Sequence, residues 1–347
     1  MNREQPSVTA KTQKMNLKGM WVGDFEQLLG ELGEKRYKAR QLASWIYAKG
    51  ATDFSEMTEL SKDLREKLSR IATINGVQLV RRQVSQKDLS EKFLFKLSDG
   101  EKVETVLMWE ADRVTACVST QVGCPLGCTF CATGQMGCKR NLTAGEIVDQ
   151  IIALRDNRIN HVVLMGMGEP FLNYDEVLKA IKIMNNEMGL SFAAKRITVS
   201  TAGIPAMIQK LADENLKLKL AISLNAPTDA KRTKLMPINK KHPVKELLAA
   251  VKAFVKKTKR GVTFEYVLIR DINDSEKDAL ALSKLVQGIR CKINLIPYNP
   301  VDDLPYDRPS EERILAFRDY LYPRAPAVTL RRSKGEDILA ACGQLRV

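Results

Sequence analysis

Three cysteines, Cys124, Cys128 and Cys131, stand within eight residues in the run VGCPLGCTFCATGQ. The spacing is C-x3-C-x2-C, and Gly123, Pro125 and Gly127 keep the segment a loop in which the thiols can converge. Iron–sulfur clusters are held by thiolates, and a cubane cluster ordinarily takes four. Three thiolates therefore leave one iron without a protein ligand, and an open coordination site is where substrate chemistry occurs. A zinc site would need a fourth ligand. The chain has two histidines, His161 and His242, and neither stands at ligand-like spacing. The reading is a 4Fe-4S cluster on Cys124, Cys128 and Cys131.

A second group of residues could hold a polar ligand. In MGMGEP (165–170), Gly166 and Gly168 permit close backbone approach, and Glu169 can accept hydrogen bonds from an ammonium group. A dinucleotide fingerprint is excluded because position 171 is Phe. Ser200, the run Ser223, Leu224, Asn225, and Asn299 stand at or just after the ends of strand-like segments. Singly, a Ser or Asn there is a turn cap; jointly they outline a site. Four cysteines remain. Cys138 and Cys291 read as non-catalytic thiols, and a lone Cys such as Cys117 or Cys342 is ordinarily a small buried hydrophobe. Around Cys342 the small residues of AACGQ suit a thiol that must move.

The elements that must position these residues alternate. Strand-like runs at 114–120, 161–166, 195–201, 218–225, 262–269 and 292–298 are separated by helical patterns near 143–156, 174–188, 204–213, 244–258 and 275–288. Six strands with crossovers imply an α/β fold with a partial (β/α)6 barrel, whose chemistry sits at the C-terminal ends of the strands. Before it, residues 76–110 read as a β-hairpin extension with Asp99-Gly100 as its turn. Residues 16–75 are helical in period. YKARQLASWIYAKG puts Ala39, Leu42, Ile46 and Tyr47 on one stripe, Gly50 closes that helix, and Ser61 and Asp63 signal the start of another. The expected division is a flexible leader over 1–15, a helical accessory domain over 16–75, the β extension over 76–110, the barrel over 111–322 and a C-terminal tail over 323–347.

The formal charge is +14, from 55 Lys and Arg against 41 Asp and Glu. Such an excess fits a polyanionic partner, nucleic acid first, or else a solvated basic surface. The basic accessory helices and KRTKLMPINKKHPVK (231–245) are candidate phosphate contacts, or solvated faces. No apolar run approaches a membrane span and no secretory signal is visible, so no membrane contact is expected and the location reads as cytoplasmic. There, seven cysteines read as metal ligands or catalytic thiols more readily than as disulfides.

With these residues in place, the chain resembles the radical SAM superfamily, and over nearly its whole length the RlmN/Cfr family of RNA adenine methyltransferases. The segments that carry the likeness include VETV, CVSTQVGC, GCTFCATG, KRNLTAGEIVDQ, VLMGMGEPFLN, ITVSTAG, LAISLNAP, LIPYNP and GEDILAACGQL. The resemblance implies methylation of adenine C2 in 23S rRNA, and of an adenosine in tRNA, with two molecules of S-adenosylmethionine (SAM) per turnover. It implies SAM contacts at Gly168, Glu169, Ser200, Ser223, Leu224, Asn225 and Asn299. Many relatives have His where this chain has Asn225, and an aromatic where it has Cys138; Asn can still hydrogen-bond a ribose hydroxyl.

Adenine C2 lies between two ring nitrogens and is electron-poor, so it cannot attack the SAM methyl as an amine does; a carbon radical can add to it. The family mechanism makes Cys342 the S-methylcysteine intermediate. A 5′-deoxyadenosyl radical takes hydrogen from its methyl group, and the methylene radical adds to the base. Glu104 is the implied proton acceptor. Cys117 then attacks the Cys342 sulfur and releases the product, leaving a transient disulfide. An electron donor such as flavodoxin and a monomeric enzyme complete the expectation. Methylation at C8 by the same residues is the alternative within the family, and a non-catalytic iron–sulfur RNA-binding protein the alternative outside it.

Overall fold

The computed structural model describes residues 14–347, so the leader expected over 1–15 lies almost wholly outside the described residues. An accessory module comes first, built on α1 (Val22–Glu31), α2 (Lys38–Ala43) and α3 (Lys62–Ile71). The stripe read from the sequence is its core: Ala39, Leu42, Ile46 and Tyr47 are all buried. After α2 the helix widens into a π-helical turn over Ser44–Ala48. Ser61 caps α3 by accepting from the Leu64 N–H, which satisfies one of the donors a helix start leaves without a partner.

Ten strands form the main sheet: β1 (Gln78–Val84), β2 (Glu91–Lys96), β3 (Lys102–Glu110), β4 (Arg113–Cys117), β5 (His161–Leu164), β6 (Ile197–Thr201), β7 (Lys219–Ser223), β8 (Val262–Leu268), β9 (Cys291–Pro297) and β10 (Val328–Leu330). They lie side by side in chain order, β1 at one edge and β10 at the other. β1 to β4 pair antiparallel, and every pairing from β4 onward is parallel. Each parallel step needs a crossover. Helices α4 (Ala144–Ile152), α5 (Tyr174–Asn185), α6 (Pro205–Asp213), α7 (Val244–Thr258), α8 (Glu276–Leu285) and α9 (Glu311–Leu321) supply them. This is a partial (β/α)6 barrel, as expected from the alternation. No ladder among the described residues joins β1 to β10, so the sheet stays open.

Two details differ from the sequence reading. The extension is not a lone hairpin: β1, β2 and β3 form a three-stranded meander continuous with the barrel sheet. The tail begins with β10, paired with β9 through Ile293 and Val328. Three residues, Val-Thr-Leu, carry too little alternation to announce a strand; the partner strand specifies it.

Register sets the site. Val106 of β3 lies opposite Cys117 of β4, and Cys117 opposite Val163 of β5. These three side chains therefore share one face. Glu104 is two residues from Val106 on the same face, opposite Leu94 of β2. The opposite face of the extension buries Phe93, Phe95, Val103 and Leu107.

Candidate active site

The loop after β4 carries the three clustered cysteines. A small hairpin pins its start, Gln121–Gly123 against Cys138–Asn141, and the Cys124 N–H donates to the Gly137 carbonyl at 2.6 Å. Its end is held where Thr129 N–H donates to the Leu235 carbonyl at 3.0 Å. Cys124, Cys128 and Cys131 border one cavity. Burial pushes the Cys124 thiol up to about 12, and Cys128 and Cys131 also upward, with neighbouring thiols adding to the effect. A thiol in that position becomes a thiolate only beside a strong cation, which iron provides. No three His, Cys, Asp or Glu side chains among the described residues close on one point as ligands of a single ion do. A cluster asks for something different, one thiolate on each of several irons. The donor set fits a cluster with one iron left open.

The same cavity runs over the tips of β5 to β8, where it is lined by Gly168, Glu169, Ser200, Ser223 and Asn225. Gly168 has φ +104°, and a Cβ there would meet Gln121 at 2.7 Å, so the backbone must be glycine. Glu169 is buried and fixed: Oε1 accepts from Phe171 N–H at 3.0 Å and Oε2 from Ala202 N–H at 2.7 Å. Burial raises its pKa in spite of those donors. An added cation would restore the charged form, so the carboxylate suits an ammonium group.

Asn225 adopts the left-handed region at φ +56°. Its Oδ1 accepts from Val267 N–H at 3.0 Å, which aligns the tip of β8 with that of β7. Leu224 and Asn299 do not line the cavity. The Leu224 side chain is fully buried in the core. The Asn299 Nδ2 donates to the Cys342 carbonyl at 3.0 Å and its Oδ1 accepts from Arg308 at 2.9 Å.

A second cavity adjoins the first and is lined by Cys117, Val106, Val163 and Thr133. Cys342 borders both cavities, as do Cys131, Met165 and Arg331. The segment after β10 reaches this position as a strap. The Gly343 carbonyl accepts from Ala132 N–H at 2.7 Å and the Leu345 carbonyl from Thr133 Oγ1 at 2.6 Å. Lys92 holds the Leu339 carbonyl at 3.1 Å, and Gln344 donates to the Pro300 carbonyl at 2.8 Å. All seven cysteines are free. Burial pushes the Cys117 thiol up to about 12, Cys342 adds to this, and Arg331 opposes it. Glu104 lies behind the strap and lines neither cavity. It is buried in contact with Lys92 at 3.1 Å and accepts from Arg346 N–H at 2.9 Å. Burial raises its pKa, against the pull of Lys92.

Three functional side chains escaped the sequence reading. Glu265 and Arg331 line the first cavity, and Arg232 builds its wall. Glu265 had a signal: a charge in the middle of the apolar run VTFEYVLI. Arg232 and Arg331 had none, since each stands beside other basic residues that are solvated. Arg232 is fully buried and donates to the carbonyls of Leu224, Ala202 and Ser223 and to Asn239 Oδ1. It ties the tips of β6 and β7 to the short helix Asp229–Leu235.

Residues 118–282 match the family model of the radical SAM superfamily, and residues 15–74 match that of the ribosomal RNA large subunit methyltransferase N-terminal domain. A protein of Thermoanaerobacter sp. (strain X514), named "Probable dual-specificity RNA methyltransferase RlmN", is 46% identical over 333 residues, 95% of this chain and 97% of its own length. The chain belongs to the RlmN family of radical SAM methyltransferases. An RlmN relative from Thermotoga neapolitana is 47% identical over 329 residues, 93% of this chain and 96% of its own. Among solved structures, a radical SAM methyltransferase from Sphaerobacter thermophilus superposes with a TM-score of 0.92 at 46% identity, covering 96% of this chain and 99% of its own. Membership of the RlmN family makes the chain a SAM-dependent RNA methyltransferase. No described helix is long and apolar enough to cross a membrane.

Proposed function

We propose that this enzyme methylates C2 of an adenosine in 23S rRNA, and of one in tRNA, through an S-methylcysteine on Cys342. The observation that carries the reading is the position of Cys342 between the two cavities, one bordered by Glu169 and the cluster cysteines, the other by Cys117. A methyl carrier must face the methyl source and the acceptor in turn, and the small residues flanking Cys342 leave the strap room to do so.

Cys124, Cys128 and Cys131 hold the cluster, which when bound supplies the electron that cleaves SAM and yields a carbon radical. Glu169 holds the methionyl ammonium, and Ser200, Ser223 and Asn225 the rest of SAM. Gly168 lets the backbone approach it. Leu224 can contribute through its backbone, and Asn299 through its hold on the Cys342 carbonyl. Cys342 takes a methyl group from one SAM, losing its thiol proton, and presents that group to the radical formed from a second. Glu104 accepts the proton that leaves C2, once Arg346 has moved off its carboxylate. Cys117, as its thiolate, then attacks the Cys342 sulfur, forming the S–S bond as the C–S bond to the base breaks; the freed carbon takes up a proton to become the methyl group, and the odd electron left by the radical addition would pass back to the cluster. A flavodoxin supplies the electron, and the enzyme acts as a cytoplasmic monomer. The basic accessory module and extension engage the RNA.

The test is anaerobic reaction of the reconstituted enzyme with rRNA fragments and tRNA, followed by mass analysis of the nucleosides. 2-Methyladenosine is expected from both. Formation of 8-methyladenosine alone would overturn the regiochemistry. Cys342→Ala is expected to retain cluster absorbance and lose all methyl transfer; full activity in that variant would end the two-cysteine mechanism.

A further inference from the structure

The basic run 231–245 lies on the cluster side of the molecule. Thr129 fastens it to the cysteine loop: its N–H donates to the Leu235 carbonyl at 3.0 Å and its Oγ1 to the Lys234 carbonyl at 3.3 Å. Ile238 packs in the same apolar group as Leu126, Cys128 and Cys131. Arg232, buried beneath, anchors the run to the strand tips. None of its residues lines the second cavity, where Cys117 lies.

On this rigid platform Lys234, Lys240 and Lys241 are exposed. Among the described residues no carboxylate pairs with them, whereas three neighbouring surface cations are paired. Lys139 holds Glu101, Arg140 holds Asp99 and Glu146, and Lys231 holds Asp278. On the flank where Tyr306 meets Thr129 at 2.7 Å, Asp303 and Asp307 are paired with Arg346 and Arg270, and Asp302 is exposed. Between the flanks, Pro125 is exposed and Leu126 and Gly127 are half-buried. An apolar tip over the cluster loop, rimmed on one side by three free lysines, is what a small transient electron-transfer contact requires. Tunnelling falls steeply with distance, so a protein donor must dock on the face nearest the cluster.

We propose that Lys234, Lys240 and Lys241, with Pro125 and Leu126, form the docking surface for an acidic one-electron carrier protein. The inference rests on the cluster assigned above to Cys124, Cys128 and Cys131. The carrier gives up one electron and the cluster takes it; no atom is transferred. The lysines steer the encounter, so the contact weakens with salt.

The test is the triple variant Lys234→Glu, Lys240→Glu, Lys241→Glu in the reconstituted full-length enzyme. Three quantities are measured: affinity for a purified flavodoxin by titration, methylation driven by that flavodoxin or by dithionite, and affinity for tRNA. We expect flavodoxin affinity and flavodoxin-driven turnover to fall at least tenfold at low salt, with dithionite-driven turnover and tRNA affinity unchanged. Unchanged flavodoxin affinity would overturn the proposal. So would a loss of tRNA affinity with flavodoxin affinity intact, which would make the run an RNA contact. Absence of turnover by the wild-type enzyme with either reductant would instead bring down the catalytic reading beneath it.

Discussion

Arg331 is half-buried between the two cavities, yet its guanidinium meets the sulfur of Met108 at 3.6 Å and no carboxylate within ion-pair distance among the described residues. A desolvated cation without a partner is costly. Cys342 most of all, then Glu265 and Cys117, hold it in the charged form against burial. In return it pulls the Cys117 thiol down, although burial still leaves that thiol raised to about 12. In the proposed mechanism, release of product needs the Cys117 thiolate. Its fraction rises about tenfold per pH unit below that value, so the release step should accelerate with pH across the neutral and alkaline range. Replacing Cys117 by Ala is expected to leave the RNA attached to Cys342, visible as a shifted band on a denaturing gel. Arg331→Met should show the same adduct transiently, with release slowed about ten- to a hundredfold by the loss of the neighbouring positive charge. Rapid release in Arg331→Met would remove the guanidinium from the mechanism. At Glu169 the sign is the same: burial raises the carboxyl, so SAM affinity should fall with acidification at a pH above the ordinary carboxylate range. Glu169→Gln is expected to weaken SAM binding about tenfold or more at neutral pH, since hydrogen bonds to a charged group contribute about 1.5–3 kcal/mol. Cys124, Cys128, Cys131 and Glu169 were legible because their spacing or their glycine neighbours are unusual. Arg331 was not, because RRSK reads as surface until β10 turns it inward.

The elements were legible where period and length agreed, as in five of the six crossovers and in Ser61 at the start of α3; α9 went unread. They were less so where pairing alone defines the element. β10 is three residues long, and the strap beyond it has no periodicity at all, only hydrogen bonds to three distant segments. Those bonds fix the position of Cys342. Gln344 is the tightest of them in design: its Oε1 accepts from Ala341 N–H at 3.2 Å while its Nε2 donates to Pro300 at 2.8 Å, clasping Cys342 between. Gln344→Ala would leave both groups without a partner in a site that is almost dry, a local cost of about 1–3 kcal/mol. The expected outcome is a methylation rate lowered about tenfold or more, with cluster content and SAM affinity unchanged. A proportional loss of SAM affinity would mean that the strap shapes the first cavity rather than placing the thiol.

At the scale of the whole molecule the accessory module must be held rigidly if it is to aim an RNA at a site in the barrel. Its docking surface has no sequence signature, because it is made of backbone. Lys18 and Gly19 cross the start of α4 so closely that a Cβ on Gly145 would lie 2.4 Å from the Lys18 carbonyl oxygen. Beside this contact, buried Asp149 of α4 accepts from Lys18 Nζ and from the Val77 N–H, which joins the module, the barrel and the start of the extension. No rotamer of a larger side chain at 145 can avoid the backbone opposite, so Gly145→Val must separate the two surfaces. Neither cavity includes this helix. Gly145→Val is therefore expected to keep its cluster and its SAM affinity while its affinity for tRNA falls about tenfold and loses part of its salt dependence, since fewer phosphates are met together. If RNA affinity persists in a variant whose module has come loose, shown by faster amide exchange in α1 to α3, the module contributes by folding rather than by aiming, and recognition belongs to the barrel and extension alone.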